Sequence, residues 1–271
     1  MSERTLPPSA VDWSKLIEQA ITTEGDLGST YNRFHDYSFL NMMLLMMQGV
    51  REPVASYNRW KSLGRQVMRG ERAKEIIVPI IVNMDGKEPG EKVEKLIGFK
   101  QIPGVFGLSQ TVGKELPPAP IPGWDFTQAL GKLAITDVPF EETNGNMQGY
   151  SRGREMAINP VAVNPDKTRF HEIGHIVLEH TDRVNLHEYA QHRGIKEFQA
   201  EATAYICMNE LGRLDEDTAT RSRGYIQHWL DNEKPPDNAI RQVFSATERI
   251  LRAGRIAQYA GHIALTQPEE A

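Results

Sequence analysis

Apolar residues recur at helical spacing over 10–23, 36–48 and 54–63, and each stretch predicts a helix, the last ending near Gly64. The period then changes. Glu75-Ile76-Ile77-Val78-Pro79-Ile80-Ile81-Val82 and Lys95-Leu96-Ile97-Gly98-Phe99-Lys100 read as strands separated by a glycine- and charge-rich turn, which predicts a hairpin, and Val105-Phe106-Gly107-Leu108 predicts a further strand. A proline-rich run, Leu116-Pro117-Pro118-Ala119-Pro120-Ile121-Pro122, predicts a stiff extended linker over 116–123 between a domain at 1–115 and another at 124–271. Beyond it, 124–134 reads as a helix, Ile135–Phe140 and Ala157–Ile158 as short strands, and the remainder as mainly helical, with a last helix around 237–260. The fold class is therefore α+β: N-terminal helices with a small antiparallel sheet, followed by a mostly helical domain with a small sheet. The apolar run Phe39–Met47 is too short to span a bilayer and is interrupted by Asn41, so it reads as a core helix.

The chemistry concentrates where the second domain turns helical. Asn164 is a suitable N-cap with Pro165 at the first helical position, and Phe170, Ile173, Val177 and Leu178 supply an apolar face. On that helix stands His171-Glu172-Ile173-Gly174-His175. Histidines four apart project from one face, so two imidazole nitrogens reach one ion. Glu172 between them is placed to act as general base on a water activated at the metal. The order of a small sheet followed by this helix is zincin-like, and the sheet offers an edge for an extended peptide.

A catalytic zinc site needs a third protein ligand from another element. Glu197 and Glu201 are again four apart on a helical stretch, interleaved with Ala200, Ala202 and Ala204, which suit close packing. Glu197 is assigned as the ligand and Glu201 as the acceptor that orients a ligating imidazole through its other N–H, with the reverse assignment kept open. The donor set suits Zn2+, and manganese, cobalt or nickel also fit it. An oxyanion donor is expected among His187, Tyr189 and Tyr225, and the sequence does not choose.

Composition bounds the reading. A chain of 271 residues with 39% apolar and 25% charged residues is an ordinary soluble protein of one or two domains. One cysteine, Cys207, and no apolar signal core at the N-terminus lead to the expectation of a cytoplasmic setting without membrane association. Net charge is −5, yet residues 51–74 carry seven cations, Arg51, Arg59, Lys61, Arg65, Arg69, Arg72 and Lys74, against Glu52 and Glu71. Tyr57 and Trp60 lie among them, and Tyr31, Phe34, Tyr37 and Phe39 precede them. Rings among cations suit single-stranded nucleic acid, whose bases stack while Lys and Arg follow the phosphates. The same residues also fit a plain core of aromatics under a solvated cationic face.

Tyr37-Ser38-Phe39-Leu40-Asn41 with Gln48, the run Tyr57–Ala73, and Gly98–Thr111 resemble the ArdC-like antirestriction family, and the likeness extends from about Tyr31 to about Asn232. The resemblance implies an N-terminal single-stranded-DNA-binding domain and a C-terminal metallopeptidase domain similar to the ImmA/IrrE peptidases. It supports Glu197 as the ligand through Glu197-x-x-Ala200-Glu201, and Tyr225-Ile226-x-x-Trp229-Leu230 resembles a further family segment. Gly107 and Met68 depart from the family pattern at positions where an acidic residue and a cation are expected. The DNA contacts it implies are Asn41, Gln48, Trp60, Lys61, Arg65 and Arg69, with Tyr57 and Lys74 added: amides for base edges, Trp60 for stacking.

These readings converge on a mobile-element protein, of plasmid or phage, that binds single-stranded DNA and hydrolyses a peptide or protein substrate. Two alternatives stand beside it: a DNA-protecting binder with a structural metal site, and a metallopeptidase whose first domain binds a protein partner. No Walker loop, paired CxxC knuckle or nucleophile elbow is present.

Overall fold

The computed structural model describes residues 12–22, 37–85, 92–116, 123–142, 146–181, 186–232 and 235–256. The predicted linker core, residues 117–122, and the aromatics Tyr31 and Phe34 lie outside these. The chain divides into two compact units, one built on 37–116 and the other on 13–22 with 123–256.

In the first unit, helix α2 (Phe39–Met47) starts at Ser38, whose hydroxyl accepts from the Asn41 N–H, and it buries Phe39, Met42, Met43, Leu44 and Leu45. It packs on a sheet of order β1-β4-β3 made from β1 (Val54–Ala55), β3 (Lys74–Asp85) and β4 (Lys92–Gly107). The predicted hairpin is longer than its apolar runs, and the predicted strand at 105–108 is largely the continuation of β4. A register shift makes that continuation possible: Glu75 pairs with Pro103 and Lys74 with Val105, so Gly104 bulges where proline supplies no ladder N–H. A short helix α3 (Tyr57–Ser62), capped by Ser56, precedes β2 (Arg65–Val67), which pairs antiparallel with β5 (Thr111–Gly113).

Helix α1 (Trp13–Thr22) is the predicted first helix, and its contacts lie in the second unit. Trp13, Leu16, Ile17, Ala20 and Ile21 form its buried stripe, the Tyr205 hydroxyl donates to Ile21 O at 2.9 Å, and the Arg241 guanidinium stands 5.7 Å from the Trp13 ring centre. A sequence-local grouping of this helix with 37–115 therefore gives way to the face that covers its apolar stripe.

The second unit continues with α4 (Phe126–Leu133), capped by Asp125, and a three-stranded sheet in the order β6 (Thr136–Asp137), β8 (Glu155–Ile158), β7 (Gly149–Arg152). Central β8 runs parallel to β6 and antiparallel to β7, which leaves β7 at an edge. Helix α5 (Pro165–Val177) begins at the predicted cap: Asn164 Oδ1 accepts from the Lys167 N–H at 3.0 Å. Three helices follow, α6 (Leu186–Glu210), α7 (Glu216–Asn232) and α8 (Asp237–Gly254).

Helices α5 and α6 meet through small residues. A Cβ built on Gly174 would stand 3.4 Å from both Cα and O of Ala200, an ordinary contact with no room beyond it. Gly174→Ala is therefore expected to hold stability or raise it, because alanine is worth roughly 0.5–1 kcal/mol over glycine inside a helix. Gly174→Val is expected to cost about 1–3 kcal/mol by overpacking, and to weaken metal retention by moving α6. Urea denaturation and metal analysis of both variants check this; equal behaviour of the two would refute the close approach.

Candidate metal centre

The approach of α5 to α6 brings three donors to one point. His171 Nε2 and His175 Nε2 are 3.1 Å apart, and Glu197 Oε2 lies 3.4 Å from the first and 3.7 Å from the second. A tetrahedral zinc ion with bonds of about 2.0–2.1 Å would hold neighbouring donors about 3.3–3.4 Å apart, so the spacing fits one ion. These three residues form the one potential metal cluster among the described residues. Glu201 stands on the other side of His171, with Oε2 3.3 Å from Nδ1. Geometry thus separates the two glutamates: Glu197 faces the side of the imidazoles on which an ion would sit, and Glu201 faces away from it.

Each histidine is oriented by a different chain of partners. Glu201 Oε1 accepts from Lys167 Nζ at 2.8 Å and from the Ser222 hydroxyl at 2.6 Å, so the acid behind His171 is itself compensated. Behind His175 lies His180, with Nδ1 to Nδ1 at 3.0 Å, and His180 Nε2 is 3.1 Å from Gln199 Oε1. If His175 Nε2 is the ligating atom, the tautomers follow: His175 Nδ1–H donates to His180 Nδ1, and His180 Nε2–H donates to Gln199. Gln199 then donates to Gln242 Oε1 at 2.8 Å and to Ala239 O at 3.2 Å. The sequence reading did not include His180 or Gln199. His180 comes under His175 because Glu179 ends the turn in the left-handed region, at φ 62°, and the chain folds back.

The protonation state of His180 agrees with that order. Burial lowers the pKa of His180, the charge of His175 lowers it further, and it falls to about 4, so this ring is a neutral relay near pH 7. Burial also opposes charge on His171, but hydrogen bonds it donates to Glu197 and Glu201 and the charge of Glu172 outweigh it and raise the pKa to about 9. Hydrogen bonds from His171 and His175 hold Glu197 far below the usual carboxylate range. Glu201 is opposed by burial, and His171 and Lys167 bring it down to about 2.

Glu172 is buried between the histidines on α5, and its Oε2 accepts from the Ser151 hydroxyl on edge strand β7 at 2.6 Å. Of the three oxyanion-donor candidates, His187 and Tyr189 have side chains outside the described residues. Tyr225 is on α7, and its pKa is raised, first by burial and also by the charges of Glu197 and Glu201, whose field it therefore feels. Trp229, one turn on, packs with its ring centre 6.4 Å from that of Phe198, against a bare Gly194 that leaves it space.

The proposed DNA contacts divide into two groups. Trp60 is 1% exposed and its indole N–H donates to Phe106 O at 2.8 Å, so its faces are in the core and not offered to bases. Asn41 exchanges two hydrogen bonds with the backbone of Ile77, at 2.9 and 2.6 Å, and Gln48 does the same with Glu75, at 2.9 and 2.8 Å. Their amides serve as surrogate strand partners along the edge of β3 and have no free edge for a base. The Arg65 guanidinium donates to Thr111 Oγ1 at 2.8 Å and to Thr111 O at 2.9 Å, fastening β2 to β5. The polar groups of these four residues are thus engaged within the unit. Lys61 and Arg69 are exposed, Lys74 is half-buried, and Tyr57 is 50% exposed with its ring edge-on to Phe106.

Residues 10–106 match the family described as the N-terminal domain of anti-restriction factor ArdC. Over those residues the chain resembles that family. Solved structures similar to it include two of the antirestriction ArdC protein from plasmid R388. The metal-free one is 18% identical with a TM-score of 0.49, covering 90% of this chain and 95% of that one. The Mn(II)-bound one is 17% identical with a TM-score of 0.52, covering 90% and 98%. At that identity the second shows a shared fold, extending well past the N-terminal segment. No curated protein matches the chain. No helix among the described residues is long and apolar enough to cross a membrane.

Proposed function

We propose that the chain is an antirestriction-type protein of a mobile element, which binds single-stranded DNA through its first unit and hydrolyses a peptide bond at the centre on α5 and α6. The observation that carries the hydrolytic half is the convergence of His171, His175 and Glu197 to within 3.1–3.7 Å beside a buried glutamate of the same helix. The R388 ArdC protein has been crystallised with Mn(II), so manganese stands beside zinc as an occupant.

A divalent cation held by His171, His175 and Glu197 would supply a Lewis acid that polarises a peptide carbonyl and acidifies a water. The protein supplies the rest. Glu172 takes the proton that the attacking water loses and delivers it to the departing amine. Ser151 fixes Oε2 of that glutamate, leaving Oε1 to exchange the proton. Edge strand β7 aligns an extended peptide by strand addition, and Tyr225 donates to the developing oxyanion. The DNA-binding half rests on Tyr57, Lys61, Arg69 and Lys74, the proposed contacts whose side chains are not spent inside the unit.

Metal titration followed by thermal unfolding tests the centre. At a free metal concentration of 100 times Kd the folded state is expected to gain about 2.7 kcal/mol. His171→Ala and Glu197→Ala should abolish most of that gain. An unchanged melting temperature on adding Zn2+ and Mn2+ would end the metal reading.

A further inference from the structure

A cleft of about 440 Å3 opens from the metal centre along α5 and is walled by α5, α6 and α7. Its inner end holds His171, Glu172 and Glu201, and its outer end Asn164 and Thr218, whose hydroxyl accepts from Asn164 Nδ2 at 3.0 Å. Seven helical residues separate Asn164 from His171, or about 10 Å at 1.5 Å per residue. That length takes about three residues of extended peptide at 3.3 Å each.

The charges that line this cleft are not equivalent. Glu172 accepts from Ser151, and Lys167 and Glu201 neutralise one another at 2.8 Å. The nearby acid Asp215 accepts from the Thr218 N–H at 2.8 Å, from the Thr218 hydroxyl at 2.7 Å and from Asn164 at 3.2 Å. Arg221 lines the same wall on α7, next to the Ser222 that holds Glu201; it is exposed, its charge is felt by Asp215, and it makes no hydrogen bond or close ion pair among the described residues. A guanidinium whose N–H groups are not spent on hydrogen bonds presents a planar fork matched to a carboxylate.

We infer that Arg221 is a specificity determinant: the cleft takes peptides bearing a carboxylate within about three residues of the bond to be cut, and Arg221 receives it. The inference rests on the peptidase reading above and names its substrate class. The carboxylate comes from an Asp or Glu side chain or from a free C-terminus, and the chemistry at Arg221 is the same for both.

The test uses the full chain loaded with Zn2+ or Mn2+ and a mixture of dodecapeptides in which Glu, Gln and Lys are scanned around the cleaved bond. Each peptide is made with a free and with an amidated C-terminus. Wild type should cleave the acidic peptides with kcat/KM about 10- to 100-fold above their Gln counterparts, the range of one charge-assisted hydrogen bond. Arg221→Gln should erase that ratio while leaving the Gln peptides unaffected, and Arg221→Glu should invert it in favour of Lys. Dependence on the free C-terminus alone would identify the terminal carboxylate as the source. Cleavage without acidic preference, or a preference that survives Arg221→Glu, overturns the inference and leaves the peptidase standing. No cleavage of any peptide by metal-loaded wild type overturns both.

Discussion

Glu172→Gln is expected to reduce peptide hydrolysis by about 10²- to 10⁴-fold, the contribution of a general base, while metal content and melting temperature stay at wild-type values. The substitution is nearly isosteric, and a glutamine carbonyl still accepts from Ser151, so the buried position beside His171 and His175 keeps its packing and its hydrogen bond. What it loses is the ability to take a proton from water. Elemental analysis, thermal unfolding and peptide turnover on the same preparation separate these quantities. A variant that binds metal, folds and still turns over within about tenfold of wild type would remove Glu172 from the chemistry. It would then leave the centre with a structural metal, the arrangement of a binding protein without hydrolysis.

The convergence of the candidate metal cluster was legible because helical geometry turns spacing into position: His171 and His175 must share a face, and so must Glu197 and Glu201. Sequence spacing also named the cap at Asn164. It did not reach the relay through His180, which depends on one left-handed residue, Glu179, beyond the helix end. Nor did it reach Ser151 and Ser222, because strand β7 is four residues without an apolar alternation and a serine on a helix gives no sign of which acid it will meet. In the N-terminal unit one chemistry serves two roles. An amide that reads a base edge and an amide that completes a strand edge use the same donor and acceptor, so Asn41 and Gln48 look identical in sequence under either role. The helix at 13–22 was found and its partner was not, since a buried stripe shows that something covers it without saying what.

Trp60→Ala is expected to cost the protein about 3–5 kcal/mol, the loss for removing a large buried aromatic, and to diminish DNA binding only through that loss. The ring is enclosed, and its indole N–H satisfies the Phe106 carbonyl, so truncation leaves both a cavity and an unpaired acceptor. Tyr57→Ala should behave in the opposite way. Its ring is 50% exposed, so folding stability should change by less than about 0.5 kcal/mol, the usual limit for surface substitutions. Loss of one stacked base, worth roughly 1–3 kcal/mol, should weaken binding to a single-stranded oligonucleotide by about 5- to 150-fold. Lys61→Ala and Arg69→Ala should each lower affinity and flatten its salt dependence, the mark of a released phosphate contact. Urea denaturation beside fluorescence anisotropy of a labelled single strand distinguishes the cases. If Trp60→Ala keeps wild-type stability and selectively loses DNA, the ring belongs on the binding surface; if Tyr57→Ala, Lys61→Ala and Arg69→Ala all bind as wild type does, the DNA-binding reading of this unit is wrong.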